Sequence, residues 1–274
     1  MSVRRSLARP TRRIEGIGLH TGAPSAVRLL PAEGAGGLIL RGPSGEAKAS
    51  PEIVVDTRRC TCVEVGGARL STIEHVLSAL AGLGVTDAVV EFEGPEMPIL
   101  DGSARGFVDE IRQAGLVEAG GAAEPIAPKE PVDVIGARGE RLVALPADEF
   151  SVTVVLDYPN HPALGAQAAI FAAGADYAAQ IAPARTYGFL SEFEQIRAAG
   201  LASGASLENC VALEADGAAD PRTPLRFSNE PARHKLLDVL GDLALAGRPV
   251  QAQIVALRPS HAVNCDLARR LAGL

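Results

Sequence analysis

Three side chains in the last third of the chain, His234, Asp238 and Asp242, recur every four residues. On a helix that spacing stacks them along one face. Leu236, Leu237, Leu240 and Leu243 fall on the other side of the same wheel. A histidine and a carboxylate one turn apart can both reach one ion. They can equally form a solvated polar face, and the segment alone suggests no more than that. A second segment changes the reading: Ser71-Thr72-Ile73-Glu74-His75 offers another imidazole beside another carboxylate. Ser71 and Glu74 have capping-box spacing, which gives Glu74 a structural role at a helix start. His75 lies off the apolar stripe of Ile73, Val76, Leu77, Leu80 and Leu83, so it is either exposed or faces a neighbour.

His75, His234 and Asp238 together make a three-ligand set that leaves a position open for water, the pattern of a catalytic zinc site. Two imidazoles and a carboxylate also suit non-haem Fe(II), whereas all-oxygen Mg or Ca sites would not choose two histidines. Glu74, next to a ligand, would be positioned to take a proton from water. His261 follows Pro259-Ser260 at the edge between a strand and a helix. It is either simply exposed or a general acid held as imidazolium by a carboxylate, for which Asp242 is the candidate. Cys60-Thr61-Cys62 has no second cysteine pair and is a weak zinc signal. The chain has no H-E-x-x-H, no G-x-S-x-G elbow, no P-loop and no G-x-G-x-x-G opening a helix.

The elements that must hold these groups are helices late in each half. Periodicity predicts a helix from Ser71 to about Leu83, closed by Gly84, and another from about Ala104 to Ala114, stopped by Gly115. Short strands are expected at 12–20, 25–30, 38–40, 53–55, 61–65, 68–70 and 87–93, with Gly66-Gly67 as a hairpin turn. Residues 119–131, with three prolines, read as a linker whose core is 123–131. Strands follow at 132–135, 141–145, 151–156 and 167–172, then short helices at 176–181 and 190–199. A strand at 210–213, a loop at 214–231, the His234 helix from about Pro231 to Ala246, a strand at 250–257 and a helix from His261 complete the chain. The fold class is therefore α+β, as two domains, 1–122 and 132–274. No residue-level internal repeat is visible.

The 274 residues are 47% hydrophobic and 22% charged, enough for a real core. Aromatics are 4% with no Trp, so that core must be aliphatic. A net charge of −7, with no basic patch interleaved with aromatics, argues against nucleic acid as a partner. Lysine occurs only at 48, 129 and 235, and Lys235 abuts His234, a hint that an ammonium is wanted there. Cys60 and Cys62 are too close for an ordinary disulfide, and with Cys210 and Cys265 they read as reduced, cytosolic thiols. No apolar run is long enough for a membrane span. The Arg-rich start, with no acid before Glu15, superficially suits a transit peptide.

Taken in order, the motifs resemble one family, the zinc-dependent UDP-3-O-acyl-N-acetylglucosamine deacetylases of lipid A biosynthesis. The resemblance is carried by Gly16-Ile17-Gly18-Leu19-His20-Thr21-Gly22, Cys60-Thr61-Cys62, Leu70-Ser71-Thr72-Ile73-Glu74-His75 and the block from Pro95 to Ser103. It continues through Asn160-His161-Pro162, Ala184 to Phe189, Leu225-Arg226-Phe227, Arg233 to Asp238, Gly241-Asp242-Leu243 and His261-Ala262-Val263-Asn264. It spans about Ser6 to Leu271, so the Arg-rich start reads as a first strand rather than a leader. Tyr187 stands where Phe is common, Ser260 where Gly often precedes the histidine, and Cys265 where Asn occurs.

The resemblance implies two domains, each a helical layer on a sheet, with the site between them. By match, His75, His234 and Asp238 bind zinc, Glu74 is the general base and His261 the general acid supported by Asp242. Thr186 is implied to hold the carbonyl oxygen and Lys235 to contact the polar part of the substrate. Residues 187–206 correspond to an insert sheltering the acyl chain, with Phe189, Leu190 and Leu201 as lining residues. The implied reaction is hydrolysis of the N-acetyl group of UDP-3-O-(3-hydroxyacyl)-N-acetylglucosamine. A metal-dependent hydrolase of another small amide and a non-catalytic sugar-nucleotide binder are the alternatives. The enzyme is expected to be cytoplasmic and monomeric, peripheral to the inner membrane surface, and to use one Zn2+, with Fe2+ a second fit.

Overall fold

The computed structural model describes residues 2–32 and 36–274. In the first half, β1 (Ser2–Leu7), β2 (Ile14–Ile17), β3 (Pro24–Pro31), β4 (Leu38–Gly42), β5 (Gly45–Lys48), β6 (Val54–Asp56), β7 (Cys62–Val65) and β8 (Ala68–Leu70) precede α1 (Glu74–Gly82). Then come β9 (Ala88–Glu93), α2 (Arg105–Ala114) and β10 (Leu116–Ala123). The second half has β11 (Val132–Ile135), β12 (Arg141–Pro146), β13 (Ser151–Asp157), β14 (Ala166–Ala172), α3 (Tyr177–Gln180), β15 (Tyr187–Phe189), α4 (Phe193–Ala198) and β16 (Val211–Leu213). It ends with α5 (Glu230–Leu243), β17 (Ala252–Leu257) and α6 (His261–Ala272).

The two halves repeat one topology. One five-stranded sheet is ordered β2-β3-β9-β4-β5 and the other β11-β12-β17-β13-β14. In each, the central strand is the last in sequence and makes the sheet's one parallel pairing, with β4 or with β13. A parallel pairing needs a crossover, and a helix fills it: α1 leads into β9 and α5 into β17. The long helices pack on one another and on the second sheet. α5 packs on β13, β14 and α1, while α6 covers β11 and β12. Strand alternation shows the cause. Val152, Val154 and Leu156 of β13 and Ile254 of β17 are buried toward the helices, and the residues between them are not. One continuous core, aliphatic apart from Phe92, Phe107, Phe171 and Tyr177, runs from Leu7 to Leu271.

The α+β class holds, and two local expectations do not. First, α1 begins at Glu74 and not at Ser71, and its N-cap makes no side-chain hydrogen bond. Ser71 is taken by a distant loop: its N–H donates to the Pro95 carbonyl and its carbonyl accepts from Met97. Thr72 then turns with a φ of 59°, so the capping box never forms. Second, residues 119–123 are not linker but the end of β10, paired with β1. Gly120 and Gly121, at φ of 72° and 75°, absorb the register shift in that ribbon. In the segment after it, Ile126 is buried and exchanges backbone hydrogen bonds with Pro249 and Gln251. Among the described residues no helix is long and apolar enough to cross a membrane.

Candidate metal centre

α1 and α5 touch backbone to backbone. A Cβ on Gly241 would lie 2.0 Å from the carbonyl oxygen of Glu74, so only glycine permits this approach. The contact sets the first turn of α1 against the polar face of α5. That face is therefore covered, not solvated: Glu74, His75, His234, Asp238, Asp242 and His261 are all buried.

Two clusters result. Ligand-type atoms of His75, His234 and Asp238 lie within 4.8 Å of one another, and so do those of Glu74, Asp242 and His261. The clusters adjoin, because His261 Nε2 is 4.0 Å from Glu74 Oε1 and 3.9 Å from Asp238 Oδ2. The His75 and His234 rings meet edge to face with centroids 5.1 Å apart. His234 Nδ1 is 3.1 Å from the carbonyl of Ala184, which orients the ring by its far nitrogen. Lys235 Nζ donates to Asp238 Oδ2 at 2.7 Å. Asp238 Oδ1 and His75 Nδ1 are buried with no hydrogen-bond partner. Buried polar atoms left unpaired carry a large penalty. A cation shared by two imidazoles and a carboxylate removes it for Asp238, and the donor set fits Zn or Fe(II).

The electrostatics suit that use. Burial, reinforced by neighbouring His234, pushes His75 down to about 3. Burial likewise lowers His234 against the pull of Asp238. Both imidazoles are thus neutral, as metal ligation requires. Burial opposes the charge on Asp238, yet Lys235 and then the histidines hold it well below the carboxylate range. Glu74 behaves oppositely. Burial, with Asp242 and Asp238 adding repulsion and His261 opposing, raises it to about 8. His261 is raised to about 9: burial works against the charge, and Asp242 and Glu74 overcome it. A raised acid and a raised carboxyl in contact form one coupled proton-holding pair.

Asp242 is itself tied down. Its Oδ2 accepts from Asn264 Nδ2 at 2.9 Å and lies 2.9 Å from His261 Nδ1, while its Oδ1 accepts from Thr61 Oγ1 at 2.5 Å. Thr61 and Asn264 fall inside motifs legible in the sequence, but no role had attached to either. The Ala184 carbonyl carries no residue-type signal at all.

The remaining predicted residues lie on the β15 side. Thr186 is half-buried, two residues beyond Ala184, and its backbone is fixed by Gly102 and Val211. Phe189 stacks on His161 with centroids 4.0 Å apart. Leu190 is exposed and Leu201 half-buried. Tyr187 bonds Tyr158 hydroxyl to hydroxyl at 2.7 Å, and its ring centroid is 6.2 Å from that of His234. Phe189, Tyr187 and Tyr158 pack on a small separate core of Leu164, Val211 and Leu213. All four cysteines are free thiols. A cavity of about 810 Å³ opens beside the C-terminal ends of α1 and α5 and is lined by none of these residues.

The profile of the LpxC family, UDP-3-O-acyl N-acetylglycosamine deacetylase, matches residues 4–273. A UDP-3-O-acyl-N-acetylglucosamine deacetylase of an Anaeromyxobacter species is 39% identical over 260 residues, covering 93% of this chain and 84% of the relative. The protein of that name from Leptospira biflexa is 41% identical over 265 residues, at 93% and 85% coverage. One from Thermosynechococcus vestitus is 40% identical over 263 residues, at 94% and 90%. With a match from end to end of the described fold, the chain belongs to the UDP-3-O-acyl N-acetylglycosamine deacetylase family.

Proposed function

We propose that this protein hydrolyses the N-acetyl group of UDP-3-O-(3-hydroxyacyl)-N-acetylglucosamine in lipid A biosynthesis, with one zinc ion held by His75, His234 and Asp238. The observation that carries the reading is the buried pair of clusters, one with an unpaired carboxylate oxygen between neutral imidazoles, the other a coupled Glu–His–Asp set. When bound, the ion supplies Lewis acidity toward the acetamide carbonyl and activates water. Glu74 accepts the proton of the attacking water as the new C–O bond forms. The Thr186 hydroxyl, on the segment next to the Ala184 carbonyl, donates to the carbonyl oxygen as charge develops there. His261, held as imidazolium by Asp242, gives its proton to the nitrogen as the C–N bond breaks, so that acetate and a free amine leave. Lys235 reaches the polar part of the substrate, and Phe189, Leu190 and Leu201 shelter the acyl chain. In this reading the two halves are domains that meet across 123–131, and the enzyme works as a cytoplasmic monomer at the inner membrane surface.

The test is metal content together with acetate release from the acylated UDP-amino sugar, with and without chelator. Stoichiometric zinc, release abolished by chelator and restored by zinc, and loss of both metal and activity in His234→Ala are expected. Glu74→Ala should hold zinc yet lose most of its turnover. Full metal and activity in His234→Ala would overturn the ligand set, and normal turnover in Glu74→Ala would remove the base.

A further inference from the structure

Thr61 stands at the end of the loop before β7, fully buried, and none of its polar groups joins the strand ladder that starts at Cys62. Its N–H donates to Glu74 Oε2 at 3.1 Å. Its carbonyl accepts from the N–H of Ile73, the residue just before α1, at 3.5 Å. Its hydroxyl donates to Asp242 Oδ1 at 2.5 Å and lies 3.3 Å from His261 Nδ1. One residue of the first repeat thus grips a carboxylate on α1 and a carboxylate on α5, which is 181 positions away. A hydroxyl has one proton to give. At 2.5 Å that proton goes to Asp242, so the oxygen turns its lone pairs toward the His261 N–H. The ring of His261 is then held by two acceptors, Asp242 Oδ2 and Thr61 Oγ1. The second fixes rotation that a single hydrogen bond leaves open.

We infer that Thr61 is a positioning residue for the hydrolysis: its hydroxyl sets the orientation of Asp242 and through it aims His261 at the departing nitrogen, while its N–H aims Glu74. It touches neither substrate nor metal ligand and acts only through these groups. The inference rests on the roles proposed above for Glu74 and His261.

Thr61→Val keeps the shape and the N–H and removes only the hydroxyl. It should lower kcat about 10- to 100-fold, the worth of a hydrogen bond to a charged group, with KM within about twofold and zinc stoichiometric. Thr61→Ser should restore most of that loss. In an Asp242→Asn background, Thr61→Val should add little, because the hydroxyl then has no carboxylate to orient. Wild-type kcat in Thr61→Val, equal loss in Thr61→Ser, or full additivity with Asp242→Asn would each overturn the inference. If Thr61→Val does not fold, Thr61→Ser and Thr61→Ala make the same comparison without the methyl. Their kcat values should differ about tenfold or more, and equal values refute the role. Normal turnover in Glu74→Ala would instead strike the underlying reaction reading, so the two failures are distinguishable.

Discussion

Gly241→Ala is a one-methyl test of the whole site. The added carbon would sit 2.0 Å from the Glu74 carbonyl oxygen and 2.7 and 2.9 Å from its carbonyl carbon and Cα. All three neighbours are backbone, so nothing can rotate aside. α1 and α5 must part by about 1 Å or more to restore ordinary contact, and overpacking of this kind costs about 1–3 kcal/mol. Alanine returns about 1 kcal/mol through its better helix propensity, which leaves a net loss of about 0–2 kcal/mol. Stability alone therefore moves little. The proposed ligand set is far less tolerant, because metal sites hold their distances to within about 0.2 Å. Glu74 and His75 ride on the displaced turn, while His234 and Asp238 ride on the helix that carries the new methyl. Zinc affinity, read by competition with a chromophoric chelator, should fall at least tenfold, and kcat at saturating zinc about 100-fold, with the melting temperature within a few degrees of wild type. Unchanged zinc affinity together with unchanged kcat would refute the claim that this helix contact positions the ligands.

Asp242→Asn removes the largest favourable influence on the His261 charge, whose ordinary value near 6.5 is raised to about 9. An acid that must enter protonated loses activity as pH rises through its pKa. The alkaline limb of kcat/KM should therefore move to lower pH by about one unit or more, and an unmoved limb would dissociate Asp242 from that limb. Glu230, at the start of α5, accepts from the N–H and guanidinium of Arg185 and from the Arg226 N–H. Glu230→Ala strands the buried Arg185 charge and should cost about 3–5 kcal/mol in urea unfolding, and a loss below about 1 kcal/mol would contradict the burial argument.

The shared polar face was legible in the sequence where local spacing decides it. His234, Asp238 and Asp242 share a face because a helix has a fixed period, and Gly66-Gly67 turns a hairpin because both adopt positive φ, 58° and 80°. Legibility failed where a distant residue overrules local preference. Ser71 and Glu74 have capping-box spacing, but the loop at Pro95–Met97 takes Ser71, and Glu74 is left free to meet Thr61. Gly120-Gly121 looks like linker until β1 pairs with it. The repeated sheet order is not legible in the sequence because the two halves share only where apolar residues fall, and many unrelated sequences satisfy that. His261 and Asp242 were paired in the reading only as candidates, since 19 residues and a strand separate them and no local rule brings them to 2.9 Å.

The repeated topology has a further consequence. Copy one contributes Thr61, Glu74 and His75, and copy two contributes His234, Asp238, Asp242 and His261. Either copy alone is a scaffold with a fragment of the proposed active site. Produced as two polypeptides divided between β10 and β11, each tube should be inert, and deacetylation should appear only on mixing, rising with the product of the two concentrations until the heterodimer saturates.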